Sequence, residues 1–186
     1  TFAKLLAGRL APQGGSIVKA DKLKVAYFAQ HQLEVLDDNA SAATHLQRQA
    51  PRASEQEIRD FLGGFDFHGD KALEPIAPFS GGEKARLALA LVVYDKPNLL
   101  LLDEPFAAVD PHTVEELQGE VRRLAKSGIA ILVTDHNVQQ TLRICDRAYI
   151  LHEGRNLAEG APKELINDAV VRQAYLASTF RGDEFD

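Results

Sequence analysis

The sequence predicts an α/β fold: a mostly parallel sheet with helices on both faces and a small helical subdomain inserted between its strands. Three observations carry this. Leu99-Leu100-Leu101-Leu102 is an unbroken apolar run, the pattern of a strand buried on both faces, as in a parallel sheet. An amphipathic helix follows, opened by Asp110 as N-cap and Pro111 at its first position, with Val114, Leu117, Val121 and Leu124 at steps of three and four; a second apolar strand follows over 129–134. Residues 31–79 are more polar and less regular and carry helix signals, which places a helical insertion between strands.

Size and composition bound the reading. The chain has 186 residues, enough for one domain or one domain with a subdomain, and 45% of it is apolar, which suits a packed core. The formal charge of −6 argues against broad nucleic-acid binding, so no direct DNA contact is expected. A single cysteine, Cys145, excludes an internal disulfide and fits a reducing compartment; with no base partner evident it reads as a core residue. No apolar run approaches the roughly 18 residues of a membrane span, and no signal peptide is evident. The chain contains no Met, so Thr1 reads as a cut point.

In chain order, Phe2, Leu5 and Leu6 share one face of a short helix that Gly8 ends. Pro12 to Gly15 is a turn, 16–18 a short strand, and 24–29 a second strand running into Gln30. Asp37-Asp38-Asn39 is a loop. Ser54 and Glu57 form a capping box for a helix through Ile58, Phe61 and Leu62, stopped at Gly63-Gly64. A mostly apolar helix covers 85–94, 148–151 is a strand, Glu153-Gly154 a turn, and a last helical pattern starts at Pro162 and continues to Leu176. His31, His45 and His68 lack metal-ligand spacing and read as surface or partner residues, and His112 and His152 as solvent-exposed ones.

Chemistry concentrates in two places. The leucine strand runs directly into Asp103-Glu104, at the carboxyl end where open α/β sheets bind ligands. A buried strand ending in Asp-Glu resembles the Walker B pattern of P-loop NTPases, which implies that Asp103 would hold the Mg²⁺ of Mg-ATP, directly or through water, and that Glu104 would polarise the attacking water. Phe79-Ser80-Gly81-Gly82-Glu83-Lys84 leads into a helix, where the glycine amides and the Ser80 hydroxyl meet an anion at a positive helix end. The phosphate-cradling sequence G-x-x-x-x-G-K-[ST] does not occur in the chain.

These motifs resemble the ATP-binding cassette (ABC) superfamily, with a P-loop NTPase-like fold. FSGGEKAR at 79–86 resembles the ABC signature motif, LLLLDEP at 99–105 Walker B, Ala107-Ala108-Val109-Asp110 the D-loop, and Val133-Thr134-Asp135-His136 the H-loop. Gln30 stands where these proteins place the Q-loop glutamine, whose amide reaches Mg²⁺ or the attacking water. The resemblance implies an ATPase that binds ATP and Mg²⁺ and works as a nucleotide-sandwich dimer with a second ABC protomer. His136 is then the switch histidine, Ser80, Gly81 and Gly82 contact the γ-phosphate held by the other protomer, and Glu83 of the same motif and Asp110 of the D-loop belong, with them and Gln30, to the cofactor-binding set. The chain is then an incomplete nucleotide-binding domain: core over 1–30, helical subdomain with signature over 31–96, Walker B to H-loop core over 97–160, and a helical tail over 161–186.

Within the superfamily the likeness changes along the chain. YFAQHQLE at 27–34, FLGGFDFHGDK at 61–71 and the stretch through Glu104 resemble the soluble ABC-F ATPases that act on ribosomes. From Pro105 on, TDHNVQQTL at 134–142, ICDRAYIL at 144–151 and AYLASTFR at 174–181 resemble the ATPase subunits of lipopolysaccharide export and branched-chain amino-acid import. The expectation is the ATP-binding subunit of a transporter, cytoplasmic and held at the inner membrane by transporter membrane subunits. A soluble ABC-F protein acting on the ribosome is the alternative, and an inactive fragment or chimera a third.

Overall fold

The computed structural model describes residues 2–29, 32–107 and 109–174. The chain divides after Thr134 into two compact units.

The first unit is built on a three-stranded parallel sheet. Its strands are β1 (Val25–Ala29), β2 (Leu99–Asp103) and β3 (Ala130–Thr134), with β2 in the centre. Leu100, Leu101 and Leu102 are fully buried, as a central strand covered on both faces demands. In register, Leu101 lies between Tyr27 and Leu132, and Asp103 between Ala29 and Thr134. Helix α1 (Phe2–Leu6) covers one face, burying Ala3 with Tyr27, Ala29 and Leu101. The expected insertion is helical: α2 (Ala42–Gln49), α3 (Glu55–Gly63), a 3₁₀ turn over Gly69–Ala72, and α4 (Gly81–Val93). Helix α5 (Pro111–Lys126) packs against α4 and β3.

Caps set the helix starts. Ser41 accepts the Thr44 amide at the head of α2, Ser54 and Glu57 complete the expected box on α3, and Asp110 accepts the Thr113 amide on α5. Gly128, at φ +95°, closes α5, a backbone geometry that favours glycine.

The second unit carries α6 (Val138–Leu142), the antiparallel pair β4 (Ala148–His152) and β5 (Arg155–Gly160), α7 (Pro162–Leu165) and α8 (Ala169–Ala174). Its core is Leu142, Ile150, Leu165, Ile166 and Val171, with Cys145 packed against it. Burial pushes the Cys145 thiol up, consistent with an inert core residue.

Five expectations need correction. Residues 16–18 form no strand: no described segment pairs with them, and Val18 is 92% exposed. Phe2 is exposed and Ala3 is the buried residue of α1, because α1 meets the sheet through its small side chain. The α4 helix begins at Gly81 rather than at 85, because the Ser80 cap brings both glycines into its first turn. The last helical pattern is broken, since Asp168 accepts the amides of Val170 and Val171 and restarts the chain as α8. His45 is also no surface residue: its ring accepts the Asp37 amide through Nε2 at 3.0 Å and meets the Ser41 carbonyl at 2.8 Å. His68, His112 and His152 are exposed as expected. Thr1, Gln30, His31, Ala108 and the end of the AYLASTFR stretch lie outside the described residues.

Candidate functional site

Asp103 ends β2 with its carboxylate held from both sides. The Tyr27 hydroxyl on β1 donates to Oδ2 at 2.5 Å, and the Thr134 hydroxyl on β3 donates to Oδ1 at 2.8 Å. Tyr27 is two residues before Ala29, the register partner of Asp103, so its side chain is on the same face and long enough to span the diagonal. Burial alone pushes the Asp103 carboxyl up, yet the two hydroxyls outweigh it and hold the group below the usual carboxylate range. The Tyr27 phenol is pushed the other way, to about 12, by burial and by donating to that carboxylate. Arg9 lies over the Tyr27 ring at 4.3 Å.

Glu104 follows in a left-handed backbone conformation, at φ +54°. Its amide donates to the Thr134 carbonyl at 2.7 Å, the last sheet-like bond before the chain turns away. Its side chain is exposed, whereas Pro105 and Phe106 are buried behind it. The adjacent carboxylates thus occupy different environments, one fixed within the sheet and one free at its edge. Such a division suits one structural anion and one proton acceptor.

The second feature is the head of α4. Ser80 Oγ accepts the Glu83 amide, and Glu83 Oε2 accepts the Ser80 amide at 2.8 Å, a complete capping box. Glu83 Oε1 accepts from Lys71, so the chain's own donors engage both its oxygens. The Lys71 ammonium holds this carboxyl below the usual range against the effect of burial, with the Ser80 amide adding to it. The capping box answers the Ser80 and Glu83 amides; the glycine amides between them belong to the first helical turn, whose N–H groups have no partner within a helix.

Both glycines lie against the start of α5. A Cβ on Gly82 would fall 1.9 Å from Glu116 Oε2, and one on Gly81 would lie 3.3 Å from Thr113 Oγ1 and 3.6 Å from Asp110 Oδ2. Asp110 is itself fixed, accepting the Thr113 hydroxyl at 2.7 Å and its amide at 3.1 Å, bonds that keep its carboxyl below the usual range. Ser80, Gly81, Gly82, Glu83 and Asp110 are therefore one cluster.

His136 belongs to the second unit, before α6. Its side chain is 74% exposed, with Nδ1 3.6 Å from Asp135 Oδ1. Asp135 in turn accepts the Asn137 amide at 2.8 Å, and Asn137 caps α6. Gln30 lies outside the described residues, but Gln32 is placed: it accepts the Ala29 amide at 3.2 Å and donates to the Tyr27 carbonyl at 3.3 Å. Beside it opens a groove of about 670 Å³, walled by β1, Val35, Leu36, His45 and Gln49 of α2, and Leu91 and Val92 of α4.

Sequence reasoning missed Tyr27, Lys71, Glu116 and Gln32. Strand register carries the signal for Tyr27, since a hydrogen-bonding side chain two residues before the strand end faces the neighbouring strand's terminal acid. Nothing in the local sequence pairs Lys71 with Glu83 or Glu116 with Gly82. Among the described residues no cluster of three or more His, Cys, Asp or Glu is arranged to hold a metal, and no helix is long and apolar enough to cross a membrane.

The chain is 41% identical over 195 aligned residues to the probable ATP-binding protein YheS of Escherichia coli K12, covering 93% of this chain and 30% of that protein. It is 50% identical over 102 residues to the lipopolysaccharide export system ATP-binding protein LptB of Acidithiobacillus ferridurans, covering 55% of this chain and 42% of LptB. The chain thus spans about a third of the length of YheS. Among solved structures, cbiO1 of Clostridium perfringens, part of the ABC transporter complex cbiONQ, superposes with a TM-score of 0.67 at 28% identity, over 81% of this chain and 62% of that one. MJ1267, an ATP-binding cassette of an ABC transporter in its ADP conformation, shares the fold at a TM-score of 0.67 and 18% identity, over 83% of this chain and 68% of its own. The family model described as ABC transporter matches residues 1–107, more than half of the chain, and the chain belongs to the ABC family, as an α/β ATPase domain of P-loop NTPase fold.

Proposed function

We propose that this chain supplies the Walker B and signature parts of an ATP-hydrolysing site, and that it does so as the ATP-binding subunit of an ABC transporter. The observation that carries the reading is the pair of fixed anchors in one unit: an ionised Asp103 at the end of β2, and glycine amides at the head of α4, braced by a capping box.

Asp103 is a fitting ligand for Mg²⁺ in this role. It is a hard oxygen donor, it stays ionised despite burial, and each of its oxygens keeps a lone pair beyond the hydroxyl it accepts. When bound, Mg²⁺ would neutralise charge on the β- and γ-phosphates. Glu104, free at the sheet edge, accepts the proton of the attacking water. Gln30 would reach that water or Mg²⁺ with its amide carbonyl, and His136 would donate to the γ-phosphate. The Ser80 hydroxyl still has its proton to give, since only its lone pair serves the Glu83 amide. With the Gly81 and Gly82 amides it binds the γ-phosphate of ATP held by a second protomer, Glu83 keeping the loop in shape. Asp110 holds the start of α5 against that loop.

The groove beside Gln32 fits the membrane partner: it is a concave surface between sheet and helical insertion, of a size to accept a short helix. The chain would then work on the cytoplasmic face of a membrane through those partner subunits. A second reading, a soluble ABC-F ATPase acting on the ribosome, is favoured by the 41% identity to YheS along 93% of the chain.

The test is phosphate release by the chain extended with a G-x-x-x-x-G-K-[ST] segment. Glu104→Gln keeps ATP binding and lowers turnover by about 100-fold or more, because the amide preserves shape but is a poor proton acceptor. His136→Ala also slows turnover. Hydrolysis at the parental rate in Glu104→Gln sinks the base assignment. Stimulation by a transporter membrane subunit, against stimulation by ribosomes, separates the two readings.

A further inference from the structure

The head of α4 is held by more than its own cap. Lys71, on the 3₁₀ turn, places its ammonium 5.6 Å from the centre of the Phe79 ring. Phe79 stacks on Phe67, with ring centres 5.5 Å apart and planes 9° from parallel. Arg86 lies on Phe67 in turn, its guanidinium carbon 5.6 Å from the ring centre. Cation, ring, ring and cation thus form one column, within cation–π range at both ends. A carboxylate closes each end. Lys71 donates to Glu83, and the Arg86 guanidinium is 3.8 Å from Glu116.

The carboxylates are what link the column to the loop. Glu83 is the returning arm of the Ser80 capping box, and Glu116 fills the space where a side chain on Gly82 would lie. Phe79 is the residue directly before Ser80. The loop Ser80-Gly81-Gly82 is therefore clamped from three directions: by Lys71 through Glu83, by the rings through Phe79, and by Arg86 through Glu116. The α3 capping box, Ser54 with Glu57, is closed by the same pair of backbone bonds, and the Ser54 hydroxyl also donates to Glu57, but among the described residues no cation is paired with Glu57.

We infer that Lys71 is a positioning residue for nucleotide at the signature loop, acting through the Lys71–Phe79–Phe67–Arg86 column to fix the direction of the Gly81 and Gly82 amides. This rests on the reading that the loop binds phosphate. An oriented set of donors contributes to catalysis only if it does not have to reorganise when charge arrives, and the column is what prevents that.

The experiment compares the two capping boxes inside one molecule. In the ¹⁵N-labelled 186-residue chain without nucleotide, Lys71→Met speeds hydrogen exchange at the Ser80 and Glu83 amides about three- to tenfold, the range expected for a half-exposed ion pair. The Ser54 and Glu57 amides do not change, and Lys71→Arg restores the parental rates. Lys71 is half-exposed, so the variant keeps the core. In the second arm the chain is mixed with an ABC ATPase whose own signature loop is inactivated. Lys71→Met lowers phosphate release severalfold at saturating ATP with little change in half-saturation, and Gly82→Asp abolishes it. Unchanged exchange at Ser80 and Glu83, or equal acceleration in both boxes, overturns the inference. So does faster exchange with an unaltered maximal rate. If the parental mixture releases no phosphate, the proposed function fails, and the exchange contrast alone decides whether the column holds the loop.

Discussion

Asp103 keeps its charge inside the sheet because two hydroxyls answer it, one from each neighbouring strand. Its folded value is lowered, so its stabilising effect is complete above the ordinary value of 3.8 and is lost as the pH falls through the folded one. Tyr27 shows the opposite sign. Its raised value stabilises the fold below the ordinary 10.0, and that contribution is lost as the pH rises from 10.0 toward about 12. Tyr27→Phe is expected to cost about 1.5–3 kcal/mol at neutral pH, as the loss of a hydrogen bond to a charged group. It also removes the alkaline loss of stability, since no phenol remains to ionise there. Denaturant titrations at pH 7 and across pH 10 to 12 check both. Equal stability of the two proteins at pH 7 would mean that the Tyr27–Asp103 bond contributes nothing.

Helices α4 and α5 meet where Gly82 faces Glu116, and this contact decides what the glycine tolerates. Gly82→Ala forces the Glu116 carboxylate aside, since an added Cβ falls 1.9 Å from Oε2. Because the atom displaced is the end of a flexible side chain, the cost is expected to be about 1–2 kcal/mol rather than that of a backbone clash. Glu116→Ala in the same chain should recover part of that loss, and a double-mutant cycle by thermal unfolding measures it. At the start of α5, Asp110→Ala removes the side chain that accepts the Thr113 amide, with an expected cost of about 1 kcal/mol. An Asp110→Asn variant keeps the cap and should recover most of it. A variant Asp110→Ala as stable as the parent would show that the cap is not needed once α5 is packed.

Taken as a molecule, the chain carries the groups proposed to anchor a nucleotide but not the phosphate-cradling sequence. G-x-x-x-x-G-K-[ST] is absent from its 186 residues, and with it several charge-assisted hydrogen bonds worth about 1.5–3 kcal/mol each. Calorimetry of the 186-residue chain with Mg-ATP is therefore expected to show no binding in the micromolar range, and tight binding would overturn that expectation. The loop proposed as its signature, in contrast, carries its full capping box, which is why mixing with a second protomer is the informative assay. Glu104 stands in the first unit and His136 in the second, so the two groups proposed for the chemistry are carried by separately packed cores.

The leucine run, the Asp-Glu pair that ends it, and the glycine pair after Ser80 were legible in the sequence because each is a local demand. A strand buried on both faces must be apolar throughout, a capping box needs its two residues three apart, and a helix head that admits an anion needs small residues. The order of these motifs was enough to identify the family. Short elements escaped for the complementary reason. Strand β5 has little apolar pattern, and α6 is a single turn that only its Asn137 cap announces. Residues 16–18 have the composition of a strand but no described partner to pair with. What holds the site was decided only by tertiary structure. Tyr27 reaches Asp103 through strand register across 76 residues of chain, Glu116 meets Gly82 across a helix–helix contact, and Lys71 meets Glu83 where the insertion folds back on α4. Each is a contact between residues that are not neighbours in sequence. Local pattern fixes which residues are buried or capped; only packing fixes which buried or capped residues touch.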